Sequence, residues 1–218
     1  MKKTKLIIFD IDGTLTDSVK IHQDAFNKSL VAIGVKEFND KFGTYKHHTD
    51  SHIAKFIFET ATNEPFDKAL QDRFEDNLYD LITNHKVLEI AGAKQFIEYL
   101  ERETEFAVCY ATGSFFKPAI YKLEQINVKC HTDLLIASNE IEEREKLLET
   151  AIENALKHHE VERFERIISF GDGVWDLLTA QNLNIEFVGI GSTNYEILTE
   201  KGMEKHFNDF TEIDRLSI

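Results

Sequence analysis

The sequence predicts an α/β protein: a Rossmann-like three-layer α/β/α parallel sheet carrying an inserted helical domain. Three observations predict it. First, four short apolar runs each end in a turn rich in Gly, Asp, Thr or Ser. Residues 5–9 run into Asp12-Gly13-Thr14, and residues 106–110 into Thr112-Gly113-Ser114. Residues 166–170 run into Gly171-Asp172-Gly173, and residues 185–190 into Gly191-Ser192-Thr193. Such runs read as buried strands. Second, helical periodicities cover residues 93–102, 117–126, 144–156 and 175–181; in the third, Leu147, Leu148, Ala151, Ile152 and Ala155 recur at helical spacing. Strand, turn and helix in repetition mark a mostly parallel sheet covered on both faces, with ligands at the carboxyl ends of its strands. Third, residues 18–86 contain no such strand but three helical patterns: Val19, His22, Ala25, Phe26, Leu30; then Ile53, Phe56, Ile57; then Phe66, Leu70, Phe74, Leu78, Leu81. The organisation expected is a core domain of residues 1–17 plus 87–218 and a helical domain of residues 18–86, with hinges at 16–19 and 85–92.

Length and charge narrow the possibilities. The 218 residues suffice for one such domain plus a small insertion. Lys and Arg number 25 against 39 Asp and Glu, a net charge of −14, which argues against nucleic acid and anionic membranes as partners. A small anionic substrate is still compatible, because one bound metal ion inverts the local field. Cys109 and Cys130 lack metal-type spacing and read as reduced thiols of a reducing compartment. The first apolar run, Leu6 to Phe9, is too short for a signal-peptide core, and no run of 18 apolar residues occurs. A soluble cytoplasmic protein is expected, as a monomer or weak homodimer.

The chemistry concentrates at the strand ends. In Asp10-Ile11-Asp12-Gly13-Thr14 a tight turn must bring both carboxylates to one pocket, with Gly13 supplying backbone freedom and Thr14 a hydroxyl. Gly171-Asp172-Gly173-Val174-Trp175-Asp176 adds two carboxylates four apart. Their repulsion calls for a hard divalent cation with oxygen ligands. Thr112, Gly113 and Ser114 at a helix start offer a hydroxyl and amides to a phosphoryl oxygen. An inward cation is expected near Glu143-Arg144-Glu145-Lys146: Arg144 is in phase with the apolar Leu148, Ala151 and Ala155, whereas Lys146 follows the polar Thr150, Glu153 and Lys157. Arg144 is therefore preferred, with Lys146 as the alternative. His47, His48 and His52 read as surface or structural residues, with substrate reading or transition-metal binding as alternatives. His158 and His159 close a helix, where positive charge is favourable.

These four elements, in this order, resemble the haloacid dehalogenase superfamily of aspartyl-phosphate hydrolases. Asp10-Ile11-Asp12-Gly13-Thr14-Leu15 matches its first motif, Ala111-Thr112-Gly113-Ser114 resembles the second and Gly171 to Asp176 the fourth. The third motif usually presents Lys, so Arg144 or Lys146 is a departure. The helical insertion resembles the α-helical cap of the phosphoglycolate phosphatase and β-phosphoglucomutase groups, with Asp17-Ser18 and His22 at its entrance. Gly43 to Ile53, including Thr49-Asp50, resembles the loop that reads the substrate; Val87 to Ala93 resembles the return to the core, with Ala91 where Pro is common.

The resemblance implies a Mg2+-dependent phosphatase acting on a small phosphorylated metabolite. Asp10 is the expected nucleophile, ionised at an ordinary carboxyl pKa without a base. Asp12 is the expected acid and base, which demands a pKa well above the ordinary value. Mg2+ is expected on Asp10, the Asp12 backbone carbonyl and Asp172, with Asp176 orienting a metal-bound water or Arg144. Thr112, Gly113 and Arg144 or Lys146 are expected to hold phosphoryl oxygens. Asp12 speaks against carbon–halogen cleavage, which has no leaving oxygen to protonate. Phosphonate cleavage needs a Schiff-base Lys in the cap, where Lys41, Lys46 and Lys55 read as solvated. A phosphomutase using the same aspartyl-phosphate, or a non-catalytic binding protein keeping the fold, are the alternative functions.

Overall fold

A computed structural model describes residues 2–41 and 44–213. Gly43, the first residue of the segment compared with a substrate-reading loop, lies outside the described residues.

Six parallel strands form the main sheet, in the order β5-β4-β1-β6-β7-β8. They are β1 (Lys5–Phe9), β4 (Phe106–Ala111), β5 (Leu135–Ile136), β6 (Arg166–Gly171), β7 (Glu186–Ile190) and β8 (His206–Phe207). β1 is central, with Phe9 in register with Tyr110 on one side and Phe170 on the other. Side-chain alternation splits the strands between two cores. Ile7, Phe9, Val108, Tyr110 and Phe170 pack beneath α4 (Ala93–Glu103) and α5 (Phe116–Gln125). Leu6, Ile8, Ala107 and Cys109 pack against Leu147, Leu148, Ala151 and Ala155 of α6 (Arg144–His158). Phe9, Phe96, Phe170 and Phe210 nest in one aromatic cluster, Phe9 and Phe170 with ring centres 5.1 Å apart. The sheet is thus covered on both faces, the three-layer arrangement expected.

Two strands escaped the periodicity: β5 and β8, two residues each, carry too few side chains to show a run. Two more, β2 (Thr16–Asp17) and β3 (Leu88–Glu89), pair antiparallel, Thr16 with Glu89 and Asp17 with Leu88. The chain between them forms α1 (Val19–Ala32), α2 (Asp50–Thr62) and α3 (Lys68–Thr83). Phe26, Leu30, Ile53, Ile57, Phe74 and Leu78 bury into a core of their own, which Phe115, just before α5, also enters. Phe56 departs from the expected apolar stripe: it is 52% exposed, its edge against Tyr45. The register of β1, β4 and β6 aligns the residues that follow them, and so assembles the site from Asp10, Thr112 and Asp172.

Candidate active site

Leaving β1, the Asp10 amide donates to the Phe170 carbonyl at 2.9 Å, and the chain then turns sharply, with the Leu15 and Thr16 amides both donating to Ile11. Gly13 takes a positive φ of 82°, and a Cβ there would lie 2.4 Å from an Asp172 carboxylate oxygen. Glycine is thus required both by the turn and by the closeness of the two acidic loops. Asp10, Asp172 and Asp176 each bring one carboxylate oxygen within 4.8 Å of the others. Arg144 is the cation among them: its Nη1 donates to Asp176 Oδ1 at 3.1 Å and to Asp10 Oδ1 at 3.4 Å. Asp176 also accepts from the Gly173 amide at 3.0 Å, which fixes the start of α7 (Val174–Asn182). Thr14 Oγ1 donates to the second oxygen of Asp10 at 3.5 Å.

Two buried carboxyl groups and a half-buried one beside one guanidinium are electrostatically expensive. Burial and Asp176 push the Asp10 carboxyl well above its ordinary value, against the pull of Arg144. Burial, then Asp176 and Asp12, raise Asp172 to about 8, and burial raises Asp176 despite Arg144. The expectation that Asp10 is ionised at an ordinary pKa is therefore corrected, because burial, and after it Asp176, oppose the charge. The donor set is hard oxygen only, and the excess negative charge is what a divalent cation relieves, so these residues fit Mg2+.

Asp12 has a different environment. Its Oδ2 accepts from Lys122 Nζ at 2.7 Å and its Oδ1 from Ser18 Oγ. Burial alone raises this carboxyl, but Lys122, His22 and Ser18 outweigh it and bring it down to about 2. The expected elevated value of Asp12 is corrected accordingly. Lys122, on α5, is fully buried. Its ammonium also meets His22 Nδ1 at 2.9 Å, while His22 Nε2 meets Asp50 Oδ1 at 2.9 Å. Asp50 Oδ2 in turn accepts from the Phe115 amide at 3.1 Å. A continuous polar chain thus links Asp12 to the inserted helices and back to the turn after β4.

The loop before α2 closes over the same strand ends. Arg144 Nε donates to the His48 carbonyl at 2.8 Å, the Asp50 amide to the Gly113 carbonyl at 2.7 Å, and Thr49 Oγ1 to the Glu142 carbonyl at 2.8 Å. A Cβ on Gly113 would stand 2.6 Å from the His48 oxygen and 2.7 Å from Arg144 Nη2, so any side chain there would force the loop and the guanidinium away. The His48 imidazole stacks on Trp175 with centroids 3.4 Å apart and planes 3° from parallel. Burial, then Arg144, bring His48 down to about 3, so the ring is neutral at physiological pH. These groups line a cavity of about 630 Å³ between the strand ends and the helices, reached also by Asp17, Gln23 and Asn194.

Asp10, Asp12, Thr112, Gly113, Arg144 and Asp172 all line this cavity. Asp176 is buried behind them, held by Arg144 and Gly173. Lys146 is not brought to it: on the exposed face of α6, it pairs with Glu149 at 3.2 Å. Thr112 is buried and its hydroxyl accepts from the Ser114 amide at 3.1 Å. The residue that sequence reasoning missed is Lys122. Its signal was present: with Ala119 and Leu123 it falls in the buried stripe of α5, and a lysine in such a stripe needs an anionic partner.

Comparison with known proteins agrees with this arrangement. Residues 4–184 match the family model of haloacid dehalogenase-like hydrolases. Over 189 residues, 84% of this chain and 82% of the other, the sequence is 25% identical to a phosphoglycolate phosphatase of Rhodobacter capsulatus. CbbY from Rhodobacter sphaeroides, solved in complex with phosphate, superposes with a TM-score of 0.73 at 19% identity, covering 97% of this chain and 96% of that one. A putative β-phosphoglucomutase from Bacteroides vulgatus gives a TM-score of 0.70 at 12% identity, covering 95% and 85%. The match of the family model across most of the chain, on a sheet whose strand ends gather these carboxylates, shows that the chain belongs to the haloacid dehalogenase-like hydrolases, as an enzyme of phosphatase type.

Proposed function

We propose that the protein is a Mg2+-dependent phosphatase of a small phosphomonoester, working through an aspartyl-phosphate on Asp10 beneath a cap formed by residues 18–86. The observation that carries this reading is the pairing of Asp10, beside Asp172, Asp176 and Arg144, with a second carboxylate, Asp12, held by its own buried lysine. Asp10, Asp172 and the Asp12 backbone carbonyl would hold Mg2+, which when bound keeps the carboxylates ionised and offsets the charge of the phosphoryl group. A carboxylate oxygen of Asp10 forms the new bond to phosphorus as the ester bond to the leaving oxygen breaks. Arg144, the Thr112 hydroxyl and the Gly113 backbone hold phosphoryl oxygens in line. Because Asp12 is ionised in its pair with Lys122, the proton for the leaving oxygen comes from the Lys122 ammonium and passes through Asp12. In the second half, water bonds to phosphorus and the bond to Asp10 breaks. The water proton goes to Asp12 and restores Lys122.

The cap loop excludes bulk water and presents neutral His48 with Trp175 to the substrate side of the cavity. The similarity to a phosphoglycolate phosphatase supports a small phosphorylated carboxylic acid as substrate. Two free cysteines suit a reducing cytoplasm. The test is phosphate release from a panel of phosphomonoesters with Mg2+, comparing wild type with Asp10→Asn. Release by the wild type alone, sustained without an added sugar bisphosphate, supports the hydrolase; equal release from both refutes Asp10 as nucleophile.

A further inference from the structure

A second constellation of ligating side chains lies at the other end of the sheet. His131 precedes a short helical turn, Thr132–Leu134, that leads into the amino end of β5. His158 is the last residue of α6, which begins at Arg144 in the catalytic cavity. The 15 residues of α6 separate the two ends by about 22 Å at ~1.5 Å per residue. Both imidazoles address one carboxylate. His131 Nδ1 contacts Asp133 Oδ1, and His158 Nδ1 lies 2.9 Å from Asp133 Oδ2. The two rings are edge to face with centroids 4.9 Å apart. One ligand atom from each of the three residues lies within 4.8 Å of the others.

The backbone holding them is fixed. Asn154 Nδ2, one turn back on α6, donates to the Asp133 carbonyl at 3.0 Å, and Leu134 is buried against the same helix. The carbonyl end of α6 adds partial negative charge, and the net charge of −14 favours any cation. An imidazole with its proton on Nε2 leaves Nδ1 free, so a metal ion can take the place of the shared hydrogen bonds. The neighbouring Cys130 is not among the residues whose ligand atoms converge there. Two imidazole nitrogens and one carboxylate oxygen, with outer positions left to water, select a borderline divalent transition metal. The all-oxygen set of Asp10, Asp172 and Asp176 selects a hard one.

We propose that His131, Asp133 and His158 form a binding site for a divalent transition metal such as Zn2+, clamping the turn before β5 to the end of α6. The site is separate in place and chemistry from the catalytic carboxylates. Zn2+ is titrated calorimetrically into the tag-free, full chain saturated with Mg2+, and Co2+ is followed by its visible absorption. One equivalent is expected to bind, with the Co2+ spectrum of a nitrogen-containing set and a rise in melting temperature. His131→Gln/His158→Gln should lose both the equivalent and the rise while releasing phosphate with Mg2+ like the wild type. Asp133→Asn should weaken binding. Equal Zn2+ binding by wild type and the double variant, no binding by the wild type, or a loss that follows His47→Gln/His52→Gln instead would each overturn the proposal. Should the double variant not fold, Zn2+ protection of His131 and His158 in the wild type from diethyl pyrocarbonate decides: protection supports the site, and its absence overturns it.

Discussion

Replacing Lys122 with Met removes the buried cation from Asp12 while keeping the length and apolar stem of the side chain. The Asp12 carboxyl sits at about 2 rather than 3.8; at ~1.4 kcal/mol per tenfold, that preference for the ionised form is worth ~2.5 kcal/mol. Breaking a buried ion pair from one side costs ~3–5 kcal/mol, and the 18% exposure of the Asp12 side chain places this case at the lower end. We expect Lys122→Met to lose ~3 kcal/mol of stability at pH 7. The depressed carboxyl of the wild type contributes stability that is present above pH 3.8 and lost as pH falls through about 2. In the variant, burial acts on Asp12 against His22 and Ser18 alone and raises its carboxyl relative to the wild type, so the deficit is full at neutral pH and shrinks as acid protonates it. Urea unfolding of both proteins at pH 4.5 and 7.5 measures it. Lys122→Met/Asp12→Asn should recover to within ~1 kcal/mol of wild type, since no charge is then stranded. A deficit equal at both pH values, or a double variant that loses the sum of the two single changes, would refute the pairing.

Arg144→Lys should cut phosphate release on the order of 100-fold with an unchanged circular dichroism spectrum, because an ammonium cannot serve Asp10, Asp176 and the His48 carbonyl together; near-wild-type release contradicts this. With Asp172 raised to about 8 in the metal-free chain, Mg2+ affinity should fall ~10-fold per pH unit below that value, read by calorimetry from pH 6 to 9. A flat profile contradicts it. The same group contributes stability present below pH 3.8 and lost as pH rises through about 8, so the metal-free chain should melt lower at pH 9 than at pH 6. Trp175 is the one tryptophan of the sequence, so His48→Ala, which strips its stacked partner, should shift the emission maximum to the red. An unchanged spectrum contradicts the stacked geometry.

How far the sequence revealed this site follows from its physics. Alternation and turn chemistry located β1, β4, β6 and β7, because each strand is long enough to display a buried run. β5 and β8 pair through two residues each and leave no such trace. The carboxylates were legible because Gly13 and Gly171 stand beside them in turns that end strands. Helical phase separated Arg144 from Lys146, since one side chain faces Leu148 and Ala151 and the other a polar stripe. The electrostatics were not legible. Asp10 and Asp12 are two residues apart, yet one is pushed up by burial and Asp176 and the other held down by Lys122. Lys122 lies 110 positions along the chain from Asp12, and only the packing of α5 under the turn after β1 brings them together. The stacking of His48 on Trp175 likewise depends on closure of a loop onto α7, which no periodicity encodes.

In the proposed mechanism Asp10 carries the phosphoryl group. Turning over a substrate found in the panel with Mg2+, quenching in acid, reducing the acyl phosphate with borohydride and mapping the peptides by mass spectrometry tests it directly. Asp10, and no other aspartate, should be converted to homoserine, with no conversion in protein quenched without substrate. Turnover with Asp10 unmodified, or with Asp12 or Asp172 labelled in its place, would contradict it.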